Sequence, residues 1–249
     1  EEPLDIQLEY STQTGRMQKN IAVTMRTPGN DHELAAGFLF TEGIIKNKAA
    51  IKEIKQSTAD ENSVLIILQE NIQPTLSNAA RNFYSTSSCG ICGKASIESI
   101  RTISQYTEQK DQFIINAAVL YTLQAALKDH QKVFEDTGGI HACALFDVAG
   151  NIITLREDVG RHNALDKIVG AALLNDELPL SNCVLLLSGR ASFELVQKAA
   201  MAGIKLIAAV GAPSSLAVDL VKETGITLIG FLRNDRFNIY SGKDRISFK

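Results

Sequence analysis

Two thiols three positions apart carry the most reactive chemistry in this chain: Ser87-Ser88-Cys89-Gly90-Ile91-Cys92-Gly93. Such a pair can share a metal ion, close a disulfide or hand a sulfur atom from one side chain to the other. Gly90 and Gly93 give the loop backbone freedom. Its polar flanks argue for exposure. A helix expected from about Lys94 brings a positive helix end and an ammonium near the thiols, and both raise the thiolate fraction. A thiolate can accept sulfane sulfur as a persulfide and present it to an acceptor. A structural zinc site would want a second cysteine pair. The other two cysteines, Cys143 and Cys183, stand singly inside apolar strands, where packing residues belong, so the count weighs against a metal.

A second cluster is Arg156-Glu157-Asp158-Val159-Gly160-Arg161-His162-Asn163, where a strand enters a helix. Arginine forks match phosphate oxygens and helix N-termini attract anions, whereas internal ion pairing would make the same string structural. A third set lies where successive apolar strands end: Ser188-Gly189-Arg190, then Gly211-Ala212-Pro213-Ser214, then Arg233-Asn234-Asp235-Arg236. Ligands of open parallel sheets bind outside those ends. Together with Arg161 and His162, the three ends point to one pocket for a large polyanion such as a nucleotide. No Walker lysine and no complete G-x-G-x-x-G is present, which disfavours a P-loop ATPase or a Rossmann dehydrogenase. His141 stands two residues before Cys143, where a zinc deaminase would carry Glu, so His141 reads as a core histidine. His32 and His130 read as surface positions. Asp136-Thr137-Gly138-Gly139 reads as a loop whose glycines can lie close to a ligand.

The elements that must position these residues follow from periodicity. Ile6, Leu8 and Tyr10 alternate, as do Ile21, Val23 and Met25, the period of half-buried strands. Asp31 is placed to cap a helix running through Phe40. Strands fit Ile51–Lys55 and Val64–Leu68, and a helix carrying Ile97, Ile100 and Ile103 follows the thiol loop. A longer helix fits Asn116 to about His130, with Leu120, Leu123 and Leu127 in one stripe. Ile140–Asp147 and the return through Leu155 read as a hairpin about Ala149-Gly150-Asn151. A helix covers roughly Asn163–Leu174. Strands at Val184–Leu187, Leu206–Val210 and Ile226–Phe231 then alternate with helices at Ser192–Ala202 and Ser214–Thr224. Such alternation implies parallel pairing in a sheet covered on both faces. Ser192 and Ser214 are candidate helix caps. A domain boundary is expected near residue 110.

The chain has 249 residues, 25 Lys and Arg against 28 Asp and Glu, and a net charge of −3. That length fits one large domain or two small ones. Hydrophobic residues make up 45% and no Trp occurs, which excludes a disordered tail, a collagen and a coiled coil. The balanced charge argues against a general binder of nucleic acid or membrane surfaces, so any anion must be held by a local cluster. No apolar run approaches the ~20 residues a membrane helix needs. Glu1-Glu2-Pro3 lacks the basic and apolar regions of a secretory signal, and four cysteines are too sparse for a disulfide scaffold. A cytoplasmic protein with reduced thiols is expected.

Read together, Gly37–Gly43, Ser87–Gly93, Thr137–His141, Arg156–Lys167, Ser188–Arg190, Ala212-Pro213 and Gly230–Tyr240 resemble the formate dehydrogenase accessory sulfurtransferases (FdhD), in order and over nearly the whole chain. The resemblance implies an α/β fold. A smaller N-terminal α+β domain, residues 1–110, would end in the thiol loop and its helix. A cytidine-deaminase-like three-layer α/β/α domain would occupy 111–249, usually in a homodimer. The implied function is sulfur carriage. A cysteine desulfurase loads sulfur, and the protein passes it to the molybdenum bis(molybdopterin guanine dinucleotide) cofactor of formate dehydrogenase. Cys89 matches the persulfide cysteine and Cys92 its partner. Phe231, Leu232, Arg233, Asn234, Asp235 and Arg236 match the cofactor-binding segment. The strand-end residues Ser188, Gly189, Arg190, Arg161 and His162 are expected to complete that pocket, which a guanine nucleotide such as GDP or GMP would mimic. No structural metal is expected. This chain departs from the pattern at Cys143, where a small residue such as Ala is usual, and at its opening Leu8-Glu9-Tyr10. The competing readings are a non-catalytic cofactor chaperone, a zinc-dependent deaminase-like hydrolase and a dithiol oxidoreductase.

Overall fold

The computed structural model describes residues 1–56, 61–76, 104, 106 and 113–249. The thiol loop with Cys89 and Cys92, and the expected helix after it, lie outside the described residues.

The chain opens with β1 (Glu2–Thr12) and β2 (Gly15–Arg26), followed by helix α1 (Asp31–Thr41), β3 (Ile51–Gln56) and β4 (Ser63–Leu68). These strands form a sheet ordered β2-β1-β4-β3, in which β1 and β4 are parallel. Leu4, Ile6, Leu8 and Tyr10 are buried, as their alternation requires. The expected alternation in β2 fails after Ile21. Ile6 pairs with Ala22 and Gln7 with Asn20, so Ile21 is an extra residue. That bulge shifts the inward face by one position. Met25 is therefore exposed and Arg26 is buried. Asp31 does not cap α1. It is the first helical residue after Asn30, and its carboxylate accepts from Arg26 Nε at 3.0 Å and Nη2 at 2.9 Å.

The second sheet is built from β6 (His141–Phe146), β7 (Ile152–Asp158), β8 (Val184–Leu187), β9 (Leu206–Ala209), β10 (Thr227–Gly230) and β11 (Asn238–Ser241), in the order β11-β10-β9-β8-β6-β7. A minor pair is formed by β5 (Ile115–Asn116) and β12 (Ile246–Ser247). The helices are α2 (Ala117–His130), α3 (Lys132–Thr137), α4 (Arg161–Leu174), α5 (Phe193–Met201) and α6 (Ser215–Thr224). The parallel core β8, β9 and β10 and the β6–β7 hairpin agree with the sequence periodicity. The sheet packs on both faces. Leu185, Leu187, Ile207 and Leu228 join α4, α5 and α6 in one core. Val184, Leu186, Leu206 and Ile229 join Leu120, Leu123 and Leu127 of α2 in another. Continuous apolar strands are the expected consequence.

The first core also contains the inner face of the N-terminal sheet and of α1. The join is a backbone crossing. A Cβ on Gly37 of α1 would lie 1.9 Å from the Asp166 carbonyl oxygen, and one on Gly170 of α4 would lie 1.8 Å from that of Glu33. Only glycine permits this approach. Around the crossing, buried charges are matched. Lys167 Nζ lies 2.7 Å from Asp158 Oδ2. Lys198 Nζ donates to Asp166 Oδ2 at 2.9 Å, to Thr41 Oγ1 at 2.9 Å and to Glu42 Oε1 at 3.2 Å. Burial alone would lower the Lys198 ammonium, but Asp166 and Glu42 outweigh it and hold it above its ordinary value. Among the described residues no helix is long and apolar enough to cross a membrane.

Candidate functional site

The parallel strands β8, β9 and β10 end at one edge of the second sheet. Antiparallel β6 begins at that edge, since Cys143 pairs with Leu187. Its partner β7 ends there, with Asp158 opposite His141. Backbone hydrogen bonds continue past the strands: Gly211 N donates to the Gly189 carbonyl at 2.9 Å and Phe231 N to the Gly211 carbonyl at 3.1 Å. The strand-end residues picked from sequence therefore line one edge.

Their roles differ. Ser188 Oγ accepts from Ala142 N at 2.9 Å. Gly189 lies under the His141 ring, where a Cβ would come within 3.3 Å of Nδ1. Arg190 is exposed, and among the described residues its guanidinium has no hydrogen bond or ion pair. Arg161 starts α4 and is half-buried, with a buried Nε that finds no partner among the described residues. His162 is buried, its Nε2 3.5 Å from Ser192 Oγ. That hydroxyl does not cap α5, whereas Ser214 does cap α6, accepting from Ala217 N. Arg156 leaves the expected anion cluster altogether. It pairs bidentately with Glu33, at 2.6 and 2.8 Å, and that hydrogen bonding raises its pKa.

The C-terminal segment closes the edge. Phe231 adopts a left-handed φ of 53°. The Leu232 side chain is fully buried in the core, so the segment presents that residue only through its backbone. Arg233 Nη1 donates to the Val210 and Leu232 carbonyls at 2.8 and 2.6 Å. Arg236 is exposed, and among the described residues its one ion-pair contact is with the adjacent Asp235, at 3.8 Å.

Among the described residues, three depressions run along this edge and share residues. One, of about 290 Å³, is lined by Phe231, Arg233, Arg236 and Asn238. The next, about 430 Å³, sets Gln124, Lys128 and Asp129 of α2 against Arg233, Asn234 and Arg236. Gln124 and Lys128 also line the third, about 430 Å³, together with Gln131, Phe134, His141 and Ser188. Gly138 and Gly139 line it, but Asp136 and Thr137, expected in the same loop, instead form the last turn of α3, with Gly138 as its left-handed C-cap. The wall from α2 and α3 was not foreseen: the polar side of an amphipathic helix reads as solvent-facing. His141, expected in the core, instead borders the third depression. Burial and the nearby Arg161 lower its pKa, Asp158 opposing, so the imidazole is neutral at pH 7.

Cys143 is buried against the Arg161 carbonyl, and burial, with Asp166 and Asp158, pushes its thiol far up. Burial also raises the half-buried Cys183. Neither has the thiolate character of a nucleophile. Among the described residues, no three His, Cys, Asp or Glu side chains converge as metal ligands.

A family model described as the FdhD/NarQ family matches residues 1–247. The chain is 49% identical over 253 residues to the sulfur carrier protein FdhD of Mycolicibacterium paratuberculosis, covering 99% of this chain and 90% of that protein. It is 47% identical to the protein of the same name from Streptomyces coelicolor, covering 100% and 88%. The crystal structure of a formate dehydrogenase accessory protein from Desulfotalea psychrophila superposes with a TM-score of 0.72 over 98% of this chain and 99% of that one, at 24% identity, and so shares its fold. A match over the full length, joined to the motifs gathered at this strand edge, shows that the chain belongs to the FdhD/NarQ family.

Proposed function

We propose that this protein is a cytoplasmic sulfur carrier for formate dehydrogenase maturation, and that its cargo site is the strand-edge trough. The Cys89 thiolate attacks the sulfane sulfur of a cysteine desulfurase persulfide. The donor's S–S bond breaks, a new one forms on Cys89, and the donor cysteine leaves as thiolate. Cys92 thiolate then attacks the Cys89 inner sulfur. The terminal sulfur departs as sulfide onto the molybdenum of the bis(molybdopterin guanine dinucleotide) substrate, and a Cys89–Cys92 disulfide remains for a thiol reductant to reopen. The trough's cations, Lys128, Arg233 and Arg236, would bind the diphosphates of that substrate, with Arg161 and Arg190 at the same strand edge outside the depressions and the Phe231–Arg236 turn closing one end.

The observation that carries this reading is near-half identity over the whole chain to proteins named sulfur carriers, in a chain that carries the Cys89-Gly90-Ile91-Cys92 loop. The test is intact-mass and peptide analysis after incubation with a desulfurase and cysteine. One added sulfur on the Cys89 peptide is expected, and none on the Cys143 or Cys183 peptides. An unloaded Cys89, with Cys89→Ser still activating formate dehydrogenase in cells, would leave the chaperone reading instead. That reading draws on the trough itself, which needs no thiol. It expects Arg236→Ala to abolish activation while Cys89→Ala is silent.

A further inference from the structure

One short helix of the trough is held from outside itself. α3 lines the depression bordered by His141 and Ser188 through Phe134, with Gly138 and Gly139 following it on the same wall. Residues 133–137 are all exposed, so α3 has no buried apolar face to hold it down. Its 6 residues are too few for a helix to persist alone. The first-turn N–H groups have no partner within the helix, and Gln131, the residue before it, gives no side-chain cap. The cap comes from β7 instead. Glu157 Oε2 accepts from Val133 N at 3.0 Å, and Oε1 accepts from Phe134 N at 2.9 Å. A carboxylate with both oxygens on a helix's first turn adds the favourable sign of the helix dipole to two charge-assisted hydrogen bonds. At the other end Gly138, with a left-handed φ of 65°, donates its N–H to the Phe134 carbonyl at 2.7 Å. Side chains alternate along β7. Those of Arg156 and Asp158, on either side of Glu157, meet Glu33 and Lys167 at the helix crossing. The Glu157 carbonyl itself accepts from Lys167 Nζ at 3.2 Å. The carboxylate is thus mounted on a fixed strand end, and the helix it grips has little else to hold it.

We propose that Glu157 is a positioning residue of the cargo trough: its carboxylate latches α3 in place as a wall, and without that latch the segment opens as a unit about Gly138 and Gly139. Glu157 touches no cargo and acts through α3. A wall with low local stability, a glycine pair at one end and a single carboxylate at the other is suited to part for a bulky visitor and close behind it. The inference rests on the reading of the trough as the cargo site, and deepens it by naming the residue that keeps one wall closed.

Residue-resolved amide exchange of the full chain, compared with Glu157→Ala and Glu157→Gln, tests the latch. In Glu157→Ala the Glu135 and Gly138 amides should exchange roughly tenfold faster, the scale of a lost helix cap. Both donate within the α3 segment, to the Gln131 and Phe134 carbonyls, so they report the segment opening and not the mere loss of an acceptor. Amides of β8 and α4 should be unchanged. Glu157→Gln keeps one accepting oxygen and should recover part of the protection. It also carries the test if Glu157→Ala lowers the melting temperature. GDP dissociation, followed by stopped flow, should quicken in the same order, more in Glu157→Ala than in Glu157→Gln. Unchanged exchange at Glu135 and Gly138, or acceleration spread evenly through the molecule, would overturn the latch. Local acceleration with GDP dissociation unchanged would overturn the positioning role. If the wild type binds no GDP, the reading of the trough as cargo site fails, and the exchange pattern alone still decides whether Glu157 latches α3.

Discussion

The helix crossing and the strand edge use the same cations in opposite ways. At the crossing, Arg26, Arg156, Lys167 and Lys198 each meet a carboxylate, on Asp31, Glu33, Asp158 and Asp166. Among the described residues at the edge, Arg161 and Arg190 meet none, Arg233 faces backbone carbonyls, and Arg236 comes no closer than 3.8 Å to the carboxylate of the adjacent Asp235. Matched charge in a dry interior fixes how elements pack, because either partner alone would be strongly penalised. Unmatched charge at an open edge contributes little to the fold and keeps its field for an incoming anion. A residue's type does not say which part it plays. Arg156 and Arg161 lie five positions apart and fall on opposite sides of the divide.

The contrast can be broken most forcefully at Lys198. Lys198→Met leaves Asp166 buried without its cation and should destabilise the protein by about 3–5 kcal/mol, read as a drop in melting temperature. The double variant Lys198→Met/Asp166→Leu should recover much of that loss, because removing a buried pair together is far less costly than halving it. Gly170→Ala attacks the same region through shape. Its new Cβ would collide with the Glu33 carbonyl, so the cost should reach or exceed the top of the ~1–3 kcal/mol usual for overpacking. At the edge the pattern inverts. Arg190→Ala should shift stability by no more than about 0.5 kcal/mol while weakening GDP binding. A large loss of stability there would erase the distinction. Finest of the four is the coupling between Arg161 and His141. Arg161→Met removes a positive charge that disfavours the imidazolium, so the His141 titration followed by NMR should move up in pH. In the wild type the folded chain binds that proton less readily than the unfolded chain. His141 therefore favours folding above its ordinary pKa of about 6.5, and this contribution is lost as pH falls through the range below it.

The sequence disclosed what depends on local pattern. The runs at 184–187, 206–210 and 226–231 are short, continuous and apolar, and such runs fit only strands covered on both faces, so β8, β9 and β10 emerge within a residue or two of their ends. Their order then puts Ser188, Gly211 and Phe231 on one edge before any coordinate is known. What stayed hidden depends on long-range meeting. Glu33 claims Arg156 across 123 positions. The bulge at Ile21 turned Arg26 inward, where strict alternation would have put Met25. Gln131 and Phe134 carry no signal of a site until α2 is laid against the end of the sheet.

Phe231 has one more lesson. Its left-handed backbone costs an ordinary residue roughly 1–2 kcal/mol, a strain glycine would not feel, and the ring stays 43% exposed, so burial offsets little of it. Left to itself, the polypeptide would be at least as comfortable with no side chain there. The aromatic group instead lines the depression that holds Arg233, Arg236 and Asn238, at a backbone position the fold alone gives no reason to fill with a ring.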